Sequence, residues 1–125
     1  MSTTIEKRLE DNFVKWCKSK GMEPMKGPVG LSKGFPDRFV QLPMLGGTIY
    51  VEFKGSSYYG LSPMQEWWKE YILSSSPNRY FVVDDDEDLA RLKRRCEHLI
   101  AIGTAVTTYE KDLLDRLELD DLHKQ

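Results

Sequence analysis

Two carboxylates and a lysine are the side chains on which chemistry could rest in this chain: Asp37, Glu52 and Lys54. Residues 34–54 read Gly-Phe-Pro-Asp-Arg-Phe-Val-Gln-Leu, Pro-Met-Leu-Gly-Gly, Thr-Ile-Tyr-Val-Glu-Phe-Lys. Apolar and β-branched runs flank Pro43, Gly46 and Gly47, the pattern of two short strands joined by a tight connection. An antiparallel hairpin centred between Met44 and Leu45 sets position 37 across from 52, and 40 across from 49. Directly opposite residues share a face, with Cβ atoms about 5 Å apart, so Asp37 and Glu52 are expected side by side. Facing carboxylates repel unless something offsets the repulsion, and a divalent cation would do so. Lys54 lies two residues beyond Glu52, on the same face and roughly 7 Å along the strand.

Oxygen ligands suit a hard cation such as Mg²⁺ or Mn²⁺, which keeps several waters and binds through one or two carboxylates plus a substrate phosphate. Such an ion would polarise a phosphoryl oxygen and lower the pKa of a bound water. Lys54 could orient the nucleophile or stabilise charge developing in the transition state. Together these are a minimal kit for metal-assisted phosphodiester hydrolysis. The same residues also admit a plainer reading, in which Glu52 and Lys54 form a surface ion pair and Asp37 caps a turn after Pro36. Spacing alone leaves both open. Histidine-based chemistry has little material: His98 and His123 are the only histidines, and both lie far from the acids in sequence.

The elements that must position these side chains follow from periodicity. Thr3 to Lys20 reads as a helix, with Ile5, Leu9, Phe13, Trp16 and Cys17 at helical spacing and Gly21 as terminator. Thr3 and Glu6 fit a capping box. Met22 to Lys26 reads as a short strand, and 27–34 as a glycine-rich loop without the Gly-Lys-Ser/Thr order of a phosphate loop. Residues 55–60 form a polar turn. Ser62, Pro63 and Gln65 then open a second helix with a second capping box. Its stripe of Met64, Trp67, Trp68, Tyr71 and Ile72 is expected to pack on the sheet. Arg79 to Val83 reads as a buried strand, parallel to a hairpin strand through the helical crossover. Asp84 to Asp88 admits a metal reading, but the acids are read first as the start of a third helix, with Asp86 a candidate cap. That helix is expected to reach about Ile100, with Leu89, Leu92, Cys96, Leu99 and Ile100 inward and Arg91, Lys93, Arg94 and Arg95 on its polar face. A further helix is expected from Thr108, rich in leucine among acids, completing the core or contacting a partner subunit.

Bulk properties narrow the class. A chain of 125 residues is one domain of ordinary size, and 40% hydrophobic with 30% charged residues argues against wholesale disorder. No apolar run approaches the roughly 20 residues that span a bilayer, and the N-terminus lacks the apolar core of a signal peptide. A soluble, intracellular, cytoplasmic protein is expected, without a membrane partner. Cys17 and Cys96 lie on apolar helical faces and are read as buried free thiols. The net charge of −2 gives no global sign of nucleic-acid binding. Residues 1–83, however, hold 11 Lys and Arg against 8 Asp and Glu, a surplus of 3 by which the face around the hairpin could be locally basic.

Three ordered motifs add to this reading: Lys33-Gly34-Phe35-Pro36-Asp37-Arg38-Phe39-Val40, Val51-Glu52-Phe53-Lys54 and Leu61-Ser62-Pro63-Met64-Gln65. In that order the chain resembles the VRR-NUC family, the virus-type replication-repair nucleases of the PD-(D/E)XK nuclease superfamily. The likeness runs from about Ile5 to Val83, leaving a C-terminal helical segment of about 84–125 within a single nuclease domain, 1–125. It implies an α/β fold with a restriction-endonuclease-like core, a small mixed β-sheet flanked by helices. By match, Asp37, Glu52 and the main-chain carbonyl of Phe53 would hold Mg²⁺ or Mn²⁺. Lys54 would be the catalytic lysine, with Gln65 and Glu6 completing the catalytic set. Lys26, Lys33 and Arg38 are basic positions expected to meet DNA. The activity implied is a metal-dependent, structure-selective DNA endonuclease. Stand-alone members are typically viral, and some are homodimers that cut four-way (Holliday) junctions, so a phage protein acting on branched DNA in the host cell is expected. The alternative is a non-catalytic DNA-binding or accessory protein on the same fold.

Overall fold

A computed structural model describes residues 4–27, 33–55 and 60–124. Three helices and an open, mixed four-stranded sheet make up the described chain. In order they are α1 (Thr4–Ser19), β1 (Pro24–Met25), β2 (Arg38–Leu42), β3 (Gly47–Phe53), α2 (Pro63–Ser75), β4 (Tyr80–Val83) and α3 (Asp86–Lys124). The sheet runs β1-β2-β3-β4. β1, β2 and β3 are successively antiparallel, and β4 returns parallel to β3 after the α2 crossover. Among the described residues no helix is long and apolar enough to cross a membrane.

The hairpin register is the one its spacing requires. Val40 faces Ile49 and Arg38 faces Val51, so one further step opposes Asp37 and Glu52. The two sheet faces differ because strand side chains alternate. Val40, Leu42, Ile49, Val51, Phe53 and Val83 are buried against Leu9 and Phe13 of α1 and Leu89 and Leu92 of α3. This is the apolar core, and buried Cys17 and Cys96 are free thiols within it. The opposite face carries Asp37, Phe39, Tyr50, Glu52 and Tyr80. Phe35 meets Phe39, Tyr50 and Trp68 edge-on there, at 6.0, 6.3 and 5.0 Å between ring centroids.

α2 begins as its sequence predicts. The Ser62 hydroxyl accepts from the Gln65 N–H at 3.2 Å, and the Gln65 side chain accepts from the Ser62 N–H at 2.8 Å. Its aromatic stripe, in contrast, is not core. Ile72 is the buried residue of the helix, Trp68 is half-buried, and Met64, Trp67 and Tyr71 (58% accessible) are exposed. Helix phase explains the correction. Gln65 must point at Glu52, so the inward line is Gln65, Trp68 and Ile72, and the other aromatics rotate outward.

The C-terminal part also differs from expectation. α3 is one continuous helix of 39 residues where two were expected. No proline interrupts it, and Gly103 costs only about 1 kcal/mol in a helix interior. The hydroxyls of Thr104, Thr107 and Thr108 donate to carbonyls four residues back, so the polar residues there stay within the helix. Gly103 is needed because the hairpin tip presses on it: a Cβ there would lie 1.9 Å from the Met44 carbonyl oxygen. The cap of α3 is Asp85, whose carboxylate accepts from the Asp88 N–H at 2.8 Å. Asp86, the expected cap, pairs instead with Arg8 of α1 at 2.9 Å. The Thr3 half of the first expected capping box, residues 28–32 of the glycine-rich loop and residues 56–59 of the polar turn lie outside the described residues.

Candidate active site

Asp37 immediately precedes β2, and Glu52 is the penultimate residue of β3. Asp37 Oδ2 accepts the Phe53 N–H at 2.8 Å, which ties the two hairpin arms together where the acids meet. Tyr50 and Lys54 donate their N–H groups toward β4, so the intervening Phe53 faces β2. Within an antiparallel strand the N–H and C=O of one residue point to the same neighbour. The Phe53 carbonyl therefore leaves β3 on the Asp37 side, alongside both acids.

Glu52 is buried to 4% accessibility. Its Oε1 accepts from Gln65 Nε2 at 3.0 Å, and its Oε2 is buried with no hydrogen-bond partner in the protein. Gln65 Oε1 in turn accepts from Lys54 Nζ at 2.8 Å and from the Ser62 N–H. One amide thus fixes the carboxylate, the ammonium and the helix start. This arrangement excludes the plainer reading of the sequence: Glu52 is no surface residue, Lys54 reaches Gln65, and Asp37 binds a strand N–H. Gly34, at φ +86, lets the approach to Asp37 lie against α2, since a Cβ there would be 2.6 Å from the Met64 backbone.

Electrostatics mark the same pair. Burial, then the charge of Asp37, pushes the Glu52 carboxyl up to about 8, against the opposing pull of Lys54. Asp37 is also raised, first by burial; the Phe53 N–H pulls it back, and Glu10 and Glu6 push it further up. The two acids therefore hold each other's carboxyls up, and either a bound proton or a cation would relieve the repulsion. Glu6, near the start of α1, raises both acids through its charge, which sets it at the rim of the site. The donor set fits a hard divalent cation: only oxygens, one of them orphaned, in a pair that repels without positive charge. Among the described residues no group of three or more His, Cys, Asp and Glu forms a fuller cage. A cation here would therefore rely on two carboxylates, a carbonyl and exchangeable ligands.

The expected basic positions divide. Arg38 is locked in a half-buried ion pair with Glu10 at 2.7 Å and donates to the Pro24 carbonyl at 3.1 Å, so its guanidinium braces α1 and β1 against β2. Lys26 and Lys33 are exposed, and neither is among the charges acting on Asp37 or Glu52.

Two residues near the site were not assigned to it from the sequence. Tyr80 lies across from Tyr50 on the site face, and its buried hydroxyl has no partner. Its ionisation is pushed up by burial, then by Glu52, Glu66 and Asp37. Asp84 follows β4 as Lys54 follows β3, one step past the Phe53–Val83 pair. One Asp84 oxygen is buried without a partner; burial, then Asp88 and Asp85, raise its carboxyl while Lys54 lowers it. The parallel pairing of the two strands was the available signal for both residues.

No protein-family model matches the chain, and no relative is found among curated proteins.

Proposed function

We propose that the chain is a metal-dependent DNA endonuclease with a restriction-endonuclease-like core. The observation that carries this reading is the pairing of half-buried Asp37 with buried Glu52, whose second oxygen is orphaned, joined through Gln65 to Lys54. Two acids held together out of bulk water cost folding energy, and a cation that enters with its substrate would turn that cost into a binding site. Asp37, Glu52 and the Phe53 carbonyl would hold Mg²⁺ or Mn²⁺, which supplies a polarised phosphoryl group and a more acidic water. Lys54, held by Gln65, stabilises the negative charge that grows on the phosphoryl oxygens or orients the attacking water. Glu6 adds an acid at the rim, where it can accept a proton or a further metal contact. Lys26 and Lys33 are free to meet phosphates, whereas Arg38 serves the fold.

The resemblance in the ordered motifs supplies the substrate class: branched DNA such as a four-way junction, cut by a homodimer, in the setting of a phage-infected cell. Recognition would run through phosphates and shape. The test is cleavage of duplex, flap, single-stranded and four-way-junction DNAs, with and without Mn²⁺, by wild type and Asp37→Ala. Metal-dependent cutting that is strongest on the junction and lost in the variant is expected. Equal activity from both proteins would overturn the assignment. Junction binding in EDTA without cutting in metal would support a non-catalytic DNA-binding protein instead.

A further inference from the structure

α3 carries a seam in which residues recur at alternating steps of three and four. Its first half, Leu89, Leu92, Cys96, Leu99 and Gly103, is wholly or partly buried against the chain's own sheet and α1. The pattern then continues through Val106, Glu110, Leu113 and Leu117, all exposed, so three of its four further positions are apolar. Every residue from 104 to 124 is exposed except half-buried Thr107. Leu117 is 51% accessible, and Tyr109 and Leu114 beside the seam are also exposed. At 1.5 Å per residue this uncovered helix is about 30 Å long. A helix of that length without tertiary cover is marginal in water, and a three-four seam with Val106, Leu113 and Leu117 on it, broken only at Glu110, is the kind of surface that a second helix takes.

The charges indicate which helix. Residues 99–109 carry no Asp, Glu, Lys or Arg, whereas 110–124 hold six acids and three bases. Parallel pairing of two copies would set Glu110 on Glu110 and Asp120 on Asp120. Antiparallel pairing centred between Lys111 and Asp112 lays each acidic stretch over the uncharged stretch of the other copy. It seats Val106 on the partner's Leu117, sets Glu110 beside the partner's Leu113 instead of on a second Glu110, and brings Tyr109 to the partner's Arg116, a cation over a ring. The hairpin tip widens the same surface. Met44 and Leu45 are exposed, both at left-handed φ (55° and 63°), and face Leu114, flanked by Glu110, Lys111, Asp115 and Glu118, across a groove of about 550 Å³. Non-glycine residues held so are strained, and this strain displays two large apolar side chains beside the seam.

We infer that the far half of α3 is a self-association surface, which a second copy of the chain covers in antiparallel fashion. It gives the two-site assembly of the proposed function a physical surface and rests on that reading only for what the assembly is used for. The test reads mass and distance without cleavage, so its failure and that of the nuclease reading are distinguishable. Light scattering of the full chain at micromolar concentration is expected to give twice 14.5 kDa. The double variant Leu113→Glu, Leu117→Glu is expected to give the monomer mass with the tryptophan near-ultraviolet signal retained, because neither residue supports the sheet. Single nitroxide labels report the direction. A label at Asp112→Cys should lie near its mate, at roughly the 10 Å spacing of packed helices plus the linkers. One at Leu122→Cys should lie about 30 Å from its mate along the helix axis. A monomeric wild type, a double variant that stays dimeric, or a short distance at 122 would overturn the inference.

Discussion

The site face of the sheet and the far half of α3 break ordinary burial in opposite directions. Glu52 is a carboxylate taken almost wholly out of water with one oxygen unmatched. Leu113 and Leu117 are leucines left in water along a helix that otherwise buries its seam. Each is unfavourable alone, and each becomes favourable with the partner whose chemistry is its complement. A hard cation would satisfy the first, and a second helix the second. The difference lies in how each region holds itself without that partner. The site is braced by strands, by Gln65 and by the Asp37–Phe53 hydrogen bond. The far half of α3 is held by its own helical hydrogen bonds and the local Lys111–Asp115 ion pair. The site is therefore expected to stay formed without metal, and the helix extension to fray on dilution.

The largest effects should come from the braced region. Asp37→Ala and Lys54→Ala are each expected to lower single-turnover cleavage of a junction by roughly 10²–10³-fold or more, with junction binding in Ca²⁺ within a few-fold of wild type. Loss of binding in step with loss of cleavage would mean that these residues hold DNA instead of acting on it. Gln65→Ala should cost less, about 10–100-fold in rate, because it only positions Glu52 and Lys54. It should also remove half of the α2 capping box, a loss of about 1 kcal/mol in urea unfolding. A Gln65→Ala protein with normal cleavage would separate cap from site.

Next in size is the pH dependence of the metal-free protein. The Glu52 carboxyl sits at about 8 in the folded chain, above its ordinary range near 4.5. The native state therefore holds a proton that the unfolded state releases, and stability is full below about 4.5. It should fall as pH rises toward 8 and level off beyond, by an amount on the order of a few kcal/mol. Thermal melts from pH 5 to 9 in EDTA check this. Glu52→Gln should flatten the slope and melt higher than wild type at pH 8. A slope unchanged in that variant would assign the titration to another group.

The smallest effects sharpen the contrast within the helices. Trp67→Ala, on the outward face of α2, should change stability by less than about 1 kcal/mol. Gly103→Ala should cost more, roughly 2–3 kcal/mol, because its Cβ has no room beside Met44. The reverse order, read from urea midpoints, would contradict the helix rotation and the hairpin–α3 contact.

Much of this architecture was legible in the sequence for definite reasons. A period of two and a compact turn fix the register of β2 and β3, so the meeting of Asp37 and Glu52 follows from counting. The α2 start was legible because its cap is built from adjacent residues. What escaped depends on contacts between distant elements. The rotation of α2 is set by Gln65 reaching a strand, which turns Trp67 and Tyr71 outward although their spacing suits a core stripe. The continuity of α3 depends on Gly103 serving the hairpin tip, where local propensity suggests a break. Arg38 reads as a free cation until α1 brings Glu10 to it.

The central claim, that the Asp37–Glu52 pair is a cation site, is tested most directly by counting protons. Mn²⁺ is titrated into the DNA-free protein at pH 7 by calorimetry in buffers of different ionisation enthalpy. A cation entering this pair displaces the bound proton, so release of about one proton per bound ion is predicted. In Glu52→Gln both the binding and the release should largely disappear. Binding without proton release, or binding and release unchanged in Glu52→Gln, would contradict the account.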